Sequence, residues 1–231
     1  MKRYWNLFYR QFITYNGYKT VLNGLLATVE IAVFGLAIGI VIGTLIAVVK
    51  VMPKYKVLPR VLDKICTVYV AFFRGTPMVV QLLLGYFVLL PALGIPADGV
   101  AVAITIFGLN SGAYVSEIMR GGINSVDKGQ LEAGRALGLT YATAMLKIVI
   151  PQSVKNILPT LGNEFISLVK ETSVVSFIAV TDLTKAFRAI GDANYEYIIP
   201  YLMLAAVYLG IVLLITWGIK VMERRLKRTE R

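Results

Sequence analysis

Four stretches of this chain carry no charged side chain: residues 31–49, 75–96, 99–116 and 197–219. About 20 apolar residues in helical form cross the hydrocarbon core of a bilayer. A chain of 231 residues cannot bury four such runs inside one soluble core. Composition agrees, with 16% charged residues against about 25% in soluble domains. The expected fold is all-α, a polytopic membrane protein with one transmembrane domain over residues 1–231.

The net charge is +11. A basic chain can bind nucleic acid, but here Lys and Arg flank the apolar runs, as retention on the cytoplasmic side requires. Cys66 is the only cysteine and histidine is absent, so neither an internal disulfide nor a metal site is indicated. The first residues mix aromatics with Asn6, Arg10 and Gln11, and the first apolar run is too long for the core of a cleavable signal. That run is expected to serve as an uncleaved insertion signal.

An amphipathic lead-in over residues 1–19 offers Tyr4, Trp5, Tyr9, Tyr15 and Tyr18 to the headgroup layer. About five spans follow, near 20–49, 62–90, 100–119, 154–168 and 197–219. In the first, Gly35, Gly39 and Gly43 recur every four residues, a face on which another helix can approach closely. Pro53 and Pro59 break helix in the basic loop after it. The second contains Arg74-Gly-Thr-Pro77 and is expected to kink there, because proline lacks a backbone donor. Residues 91–99 read as a turn, 174–180 as a short apolar stretch, 181–196 as a polar connection and 220–231 as a basic tail.

Orientation follows from the basic residues. Segments 50–64, 120–155 and 220–231 hold sixteen Lys or Arg, and the alternate set 1–19, 91–98 and 181–196 holds six. The richer set belongs in the cytoplasm, which puts the N-terminus outside and the C-terminus inside.

One charged block stands between the third and fourth spans, at about 127–150. Asp127 can cap a helix, with Gln130 at the reciprocal position. Gly138 can end that helix in a left-handed conformation. Thr140 can cap a second helix, and Pro151 ends or kinks it. Lys128, Glu132 and Arg135 fall on one polar face, with Leu131 and Leu137 left for packing. An ordered helix–turn–helix beside a membrane reads either as a solvated charged loop or as a socket for a soluble partner.

The spacing favours the socket. Glu132-Ala133-Gly134, three residues that include Arg135, Gly138, nine residues, then Ile148-Val-Ile-Pro151 resembles the signature of bacterial ABC importer permeases. That signature has alanine in place of Gly134 and leucine in place of Ile150. The first departure is expected to loosen the helix slightly. The segments 72–81, 110–122 and 163–173 are similar to those of the polar amino-acid branch (histidine, glutamine, arginine, glutamate), and the similarity covers about residues 20–225. The resemblance implies a bacterial inner-membrane permease subunit that pairs with a second one, identical or paralogous. It further implies ABC ATPase subunits docked against Glu132 and Gly138, and an external solute-binding protein delivering a polar amino acid. The chain has no Gly-x-x-x-x-Gly-Lys-Ser/Thr phosphate loop. It is therefore expected to be no enzyme and to hold no cofactor, with ATP and Mg on the partner.

Polar side chains inside spans are retained where they face a cavity or a partner. Asn110, Tyr114 and Glu117 fall at i, i+4 and i+7, with Ser111 beside them. Asn163 and Glu164 come from the fourth span, and Arg74, Thr76 and Gln81 from the second. Together they offer donors for a carboxylate and acceptors for an ammonium group, a candidate pathway. Glu117 can instead pair with Arg120, and Arg74 can snorkel or brace a dimer. An ion-coupled secondary transporter is the alternative function, for which a break near Thr172 leaves room.

Overall fold

The computed structural model describes residues 2–96 and 98–228. Met1, Ala97 in the 91–99 turn and the last three residues of the basic tail fall outside the described residues.

The lead-in is helical, α1 (Lys2–Phe8) followed by a wide turn (Tyr9–Thr14). Its five aromatics are exposed, as a headgroup position requires. Asn16, in the left-handed region at φ 55, separates it from α2 (Gly17–Val51). The 35 residues of α2 span roughly 52 Å at about 1.5 Å per residue. Pro53 forces Met52 into extended backbone and ends the helix. Pro59, expected to break helix, lies instead in the first turn of α3 (Val57–Gly75), where backbone N–H groups have no helical acceptor anyway.

The second span departs most from expectation. It is not one kinked helix over 62–90 but two, α3 and α4 (Met78–Ala92, opening at Met78–Leu84 and widening at Gly85–Leu89), bent by 106°. Pro77 removes one donor, and Thr76 and Pro77 both adopt extended backbone, so the direction changes outright. Asp98 caps α5 (Gly99–Asn124) by accepting from the Ala101 amide at 3.2 Å.

The coupling block forms α6 (Lys128–Ala136) and α7 (Tyr141–Ala144). A wide turn (Met145–Val149) carries α7 without interruption into α8 (Ile150–Glu171). A 3₁₀ segment (Thr172–Ile178) follows. The connection over 181–196 is not irregular. It holds α9 (Leu183–Asn194), capped by Asp182 and burying Leu183, Ala186, Phe187 and Ile190. The last helix is α10 (Ile198–Arg228).

Among the described residues, three helices are long and apolar enough to cross a membrane, α2, α5 and α10, or four if the bent α3–α4 pair counts as one. The expected fourth span exists as α8 but is too polar to qualify on composition. It packs on α5, α2 and α10 inside the bundle.

The glycine stripe forms the seam of the core. A methyl group on Gly39 would come within 2.7 Å of Ser111 Cβ, and one on Gly43 within 2.6 Å of Val115. Gly108 and Gly112 of α5 meet Ile38 and Ile42 of α2 equally closely. Small residues on both helices let the two backbones approach. The main core gathers Ile31, Leu82, Phe107, Leu168, Val175 and Ile178 from five elements.

The two ends of the bundle are distinct. At one, Phe12 of the lead-in packs on Phe187 of α9 at 5.9 Å between ring centroids, and Arg3 pairs with Glu196 at 3.3 Å. At the other, the Tyr141 hydroxyl donates to the Val51 carbonyl at 3.2 Å, and Lys50 lies 3.9 Å from Glu117. The segments sorted by their basic residues thus fall at opposite ends.

Candidate functional site

The coupling block is built from its turns outward. Asp127 Oδ1 accepts from the Gly129 amide at 2.7 Å. Gln130 does not complete a reciprocal cap; it accepts from Gln152 Nε2 at 3.5 Å. At the other end of α6, Gly138 takes φ +83. The Leu139 amide bonds the Gly134 carbonyl at 3.1 Å and the Gly138 amide bonds the Arg135 carbonyl at 3.0 Å. That pair of bonds is a Schellman termination. Thr140 Oγ1 accepts from the Thr143 amide at 3.2 Å and opens α7.

Gly134, expected to loosen α6 slightly, also has a packing role. It is buried, and an added methyl group would sit 2.9 Å from Ile148 Cδ1 and 3.3 Å from Ala144 Cβ. The missing side chain lets α7 and the following turn lie flat on α6. Pro151 does not end the helical path; it stands in the first turn of α8, directly after the wide turn. The Tyr141 hydroxyl ties the block to the end of α2, and just outside the block Asn156 Nδ2 of α8 donates to Ser125 Oγ at 2.9 Å.

What remains is an exposed face. Glu132, Ala133, Arg135 and Gly138 are all exposed. Glu132 makes no hydrogen bond or ion pair with a described residue, so it does no work in holding the block together. It lines a cleft of about 690 Å³ with Lys50, Arg120, Lys128 and Tyr141. Leu137 is 83% exposed, so it is not the packing residue expected. Burial raises the Tyr141 phenol above its ordinary value.

The polar residues of the bundle divide into two groups. Gln81 and Asn110 are buried and brace the α3–α4 break. Pro77 has no N–H for the carbonyl of Phe73, four residues earlier. Gln81 Nε2 donates to that carbonyl at 2.9 Å and Asn110 Nδ2 at 3.1 Å. Gln81 Nε2 also reaches the Thr76 carbonyl and hydroxyl at 3.0 and 2.8 Å, and Asn110 Nδ2 donates to Gln81 Oε1 at 2.9 Å. Backbone broken at membrane depth must be satisfied by neighbours in this way. Ser111 Oγ donates to Glu164 Oε1 at 3.0 Å inside the bundle. Glu117 is held by Arg120 at 2.5 Å, and Lys50 of α2 joins them. Gln81, Ser111, Glu117 and Glu164 therefore have structural partners.

The second group opens onto space. Arg74, Thr76, Asn110 and Tyr114 line a cavity of about 360 Å³ with Glu171. Arg74, Tyr114 and Glu117 border a second of about 490 Å³ reaching Ser125 and Asn156. The Arg74 guanidinium lies over the Tyr114 ring, 5.4 Å from its centroid. Asn163 is exposed on α8 and lines neither cavity. Sequence reasoning missed Glu171 as a lining residue and Tyr141 as a tie. Glu171 was visible as the residue before the 172–173 break; the bond of Tyr141, 90 positions from Val51, left no local trace.

Residues 39–228 match the family described as binding-protein-dependent transport system inner membrane component. The chain is 39% identical over 210 residues to the arginine transport system permease protein ArtQ of Bacillus subtilis (strain 168), covering 91% of this chain and 94% of that protein. It is 37% identical over 206 residues to the putative glutamine transport system permease protein GlnP of Rickettsia conorii, covering 89% and 92%. A crystal structure of an amino acid ABC transporter with histidines superposes with a TM-score of 0.84 at 38% identity, over 93% of this chain and 98% of that one. An inward-facing methionine transporter, MetNI, shares the fold at a TM-score of 0.76 and 17% identity, over 89% and 95%.

Proposed function

The chain belongs to the family of binding-protein-dependent transport system inner membrane components, and from that membership we propose that it conducts a polar or charged amino acid inward under the drive of a separate ATPase. It is a multi-pass permease subunit, and ATP hydrolysis falls to another subunit. ATP and Mg bind there. The ATPase docks on the exposed face of α6 and α7, with Glu132, Ala133, Arg135 and Gly138 in its groove. A second permease copy or paralogue faces the cavities, and an external solute receptor delivers the cargo.

The observation that carries this reading is the state of Glu132. It is exposed and makes no hydrogen bond or ion pair with a described residue, on a block whose own turns are bonded. The relatives named for arginine and glutamine transport support an amino-acid cargo. Arg74 and Tyr114 remain the pathway residues; Gln81 and Asn110 serve the break first. The N-terminus lies outside and the C-terminus in the cytoplasm, in line with sixteen basic residues against six. The ion-coupled alternative loses its support, since the matching family is binding-protein-dependent and the relatives are permease proteins of transport systems.

Reconstitution tests the proposal. Glu132→Ala in the full importer is expected to abolish ATP-driven uptake of arginine or glutamine while the chain still inserts and pairs. Uptake at the wild-type rate in that variant, or uptake by the permease subunits alone without ATPase, would sink it.

A further inference from the structure

The lead-in carries positive charge that the chain does not balance. Residues 1–29 hold Lys2, Arg3, Arg10 and Lys19 and no Asp or Glu. These are four of the six Lys and Arg in the segment set poorer in basic residues. Arg3, Arg10 and Lys19 are exposed. Among the described residues Glu196 is the one acid in ion-pair contact with them, 3.3 Å from Arg3. Arg10 makes no hydrogen bond or ion pair with a described residue, and Lys19 lies over the Tyr18 ring, 5.9 Å from its centroid.

The same segment is fixed from beneath. Gln11 and Phe12 are buried, and rings step inward from Trp5 through Phe8 and Phe12 to Phe187 of α9, with centroids 5.7, 5.2 and 5.9 Å apart. Gln11 Nε2 donates to the Glu196 carbonyl at 3.2 Å. With its inner side packed on α9, the segment leaves Trp5, Tyr9 and Tyr15 exposed beside the cations. Its level follows from α2. The exposed apolar side chains of that helix begin at Leu22, three residues past Lys19, and continue through Leu26, Val29 and Val33. Those four fall at i, i+4, i+7 and i+11, one stripe of the helix. The lead-in therefore stands where acyl chains end and headgroups begin, the depth at which Trp and Tyr are enriched.

We propose that the lead-in is a docking surface for anionic phospholipid headgroups, whose phosphates are drawn to Arg3, Arg10 and Lys19 while Trp5, Tyr9 and Tyr15 seat among them. A zwitterionic headgroup sets its own cation beside the phosphate, and an anionic one does not. A guanidinium fork matches phosphate in two parallel bonds, and each Lys or Arg near an anionic surface favours it by a factor of roughly five. An acidic protein face is the other partner for such a patch, but the aromatic side chains and the apolar stripe that begins beside it favour the bilayer. The surface requires only that the chain spans a membrane, whichever solute it carries.

The chain has two tryptophans, Trp5 and Trp217, so Trp217→Phe leaves Trp5 as the reporter. That full-length variant is placed in nanodiscs of equal parts phosphatidylglycerol and phosphatidylcholine, with bromine high on the acyl chains of one lipid or of the other. Trp5 emission is expected to be quenched at least about twofold more by the brominated anionic lipid. Salt at about 1 M, where screening sets in at about 3 Å, is expected to remove the difference, and so is Arg3→Gln/Arg10→Gln/Lys19→Gln. Glu196→Gln, which breaks the ion pair and keeps every cation, is expected to preserve it. Equal quenching by the two lipids overturns the proposal, as does a preference that survives salt or the triple variant, or one that is lost in Glu196→Gln. Emission quenched by neither lipid and shifted instead by an external solute receptor gives the surface to a protein and overturns it too. If the triple variant fails to fold, the salt series in the parent decides, together with Arg3→Lys/Arg10→Lys, which is expected to keep the preference.

Discussion

Two glycines of one motif answer to different physics. Gly138 sits at φ +83 with nothing near its missing side chain, so its constraint is conformational. Placing an L-residue there costs roughly 1–2 kcal/mol. Gly134 has ordinary helical backbone, and a methyl group added to it meets the flexible end of Ile148. Gly134→Ala, which restores the alanine of the family signature, is therefore expected to leave uptake within about twofold, because higher helix propensity offsets the slight crowding. Gly138→Ala is expected to lower the melting temperature of the detergent-solubilised chain and to cut uptake severalfold. Parallel melts and uptake assays of the two variants check this; a more damaging Gly134→Ala would show that close packing outweighs conformation. The caps Asp127 and Thr140 and the left-handed Gly138 were legible because each acts within four residues. The close contact of Gly134 was not, because its neighbour Ile148 lies across a turn.

Among the elements, the broken α3–α4 pair best shows where the sequence stops informing. Pro77 announced a discontinuity, but not whether the helix would bend slightly or turn by 106°. That outcome depends on donors 8 and 37 residues from the Phe73 carbonyl. The same donors explain why Gln81 and Asn110 looked like pathway residues: a bonded polar group and a ligand-facing one share the same sequence. Gln81→Leu leaves the Thr76 carbonyl without its donor, and a buried unsatisfied group costs about 1–3 kcal/mol. Asn110→Leu removes the second donor to Phe73. The double variant is expected to depart from the sum of the singles by about 0.5–3 kcal/mol, since the two side chains share a network. Thermal melts of all four proteins complete the cycle, and strict additivity would refute a shared brace. The α9 helix was within reach. Leu183, Ala186, Phe187 and Ile190 fall at i, i+3, i+4 and i+7, the period of an amphipathic helix, but Thr181, Asp182, Lys185, Arg188 and Asp192 gave the stretch the composition of a loop.

At the scale of the molecule, the apolar runs and the basic residues sorted the chain into a bundle with two unlike ends, and the packing of Phe12 of the lead-in on α9 and of Tyr141 on α2 agrees with that sorting. Sidedness can be read directly. In a Cys66→Ser background, Tyr195→Cys (88% exposed in the parent) is expected to react with a membrane-impermeant thiol reagent in cells whose inner membrane is intact, and Leu137→Cys (83% exposed) only after that membrane is opened. The opposite pattern would invert the molecule. One feature links the two ends. Residues 141–171 run as one continuous helical rod, with the wide turn and Pro159 inside α8 as its irregularities. Each residue in such a rod advances the azimuth by about 100°. The nine positions between Gly138 and Ile148 therefore act as a clocking device, setting which way Glu171 points relative to the docking face. Removing or adding one position there would keep every local contact type available and still aim the far end at the wrong neighbour.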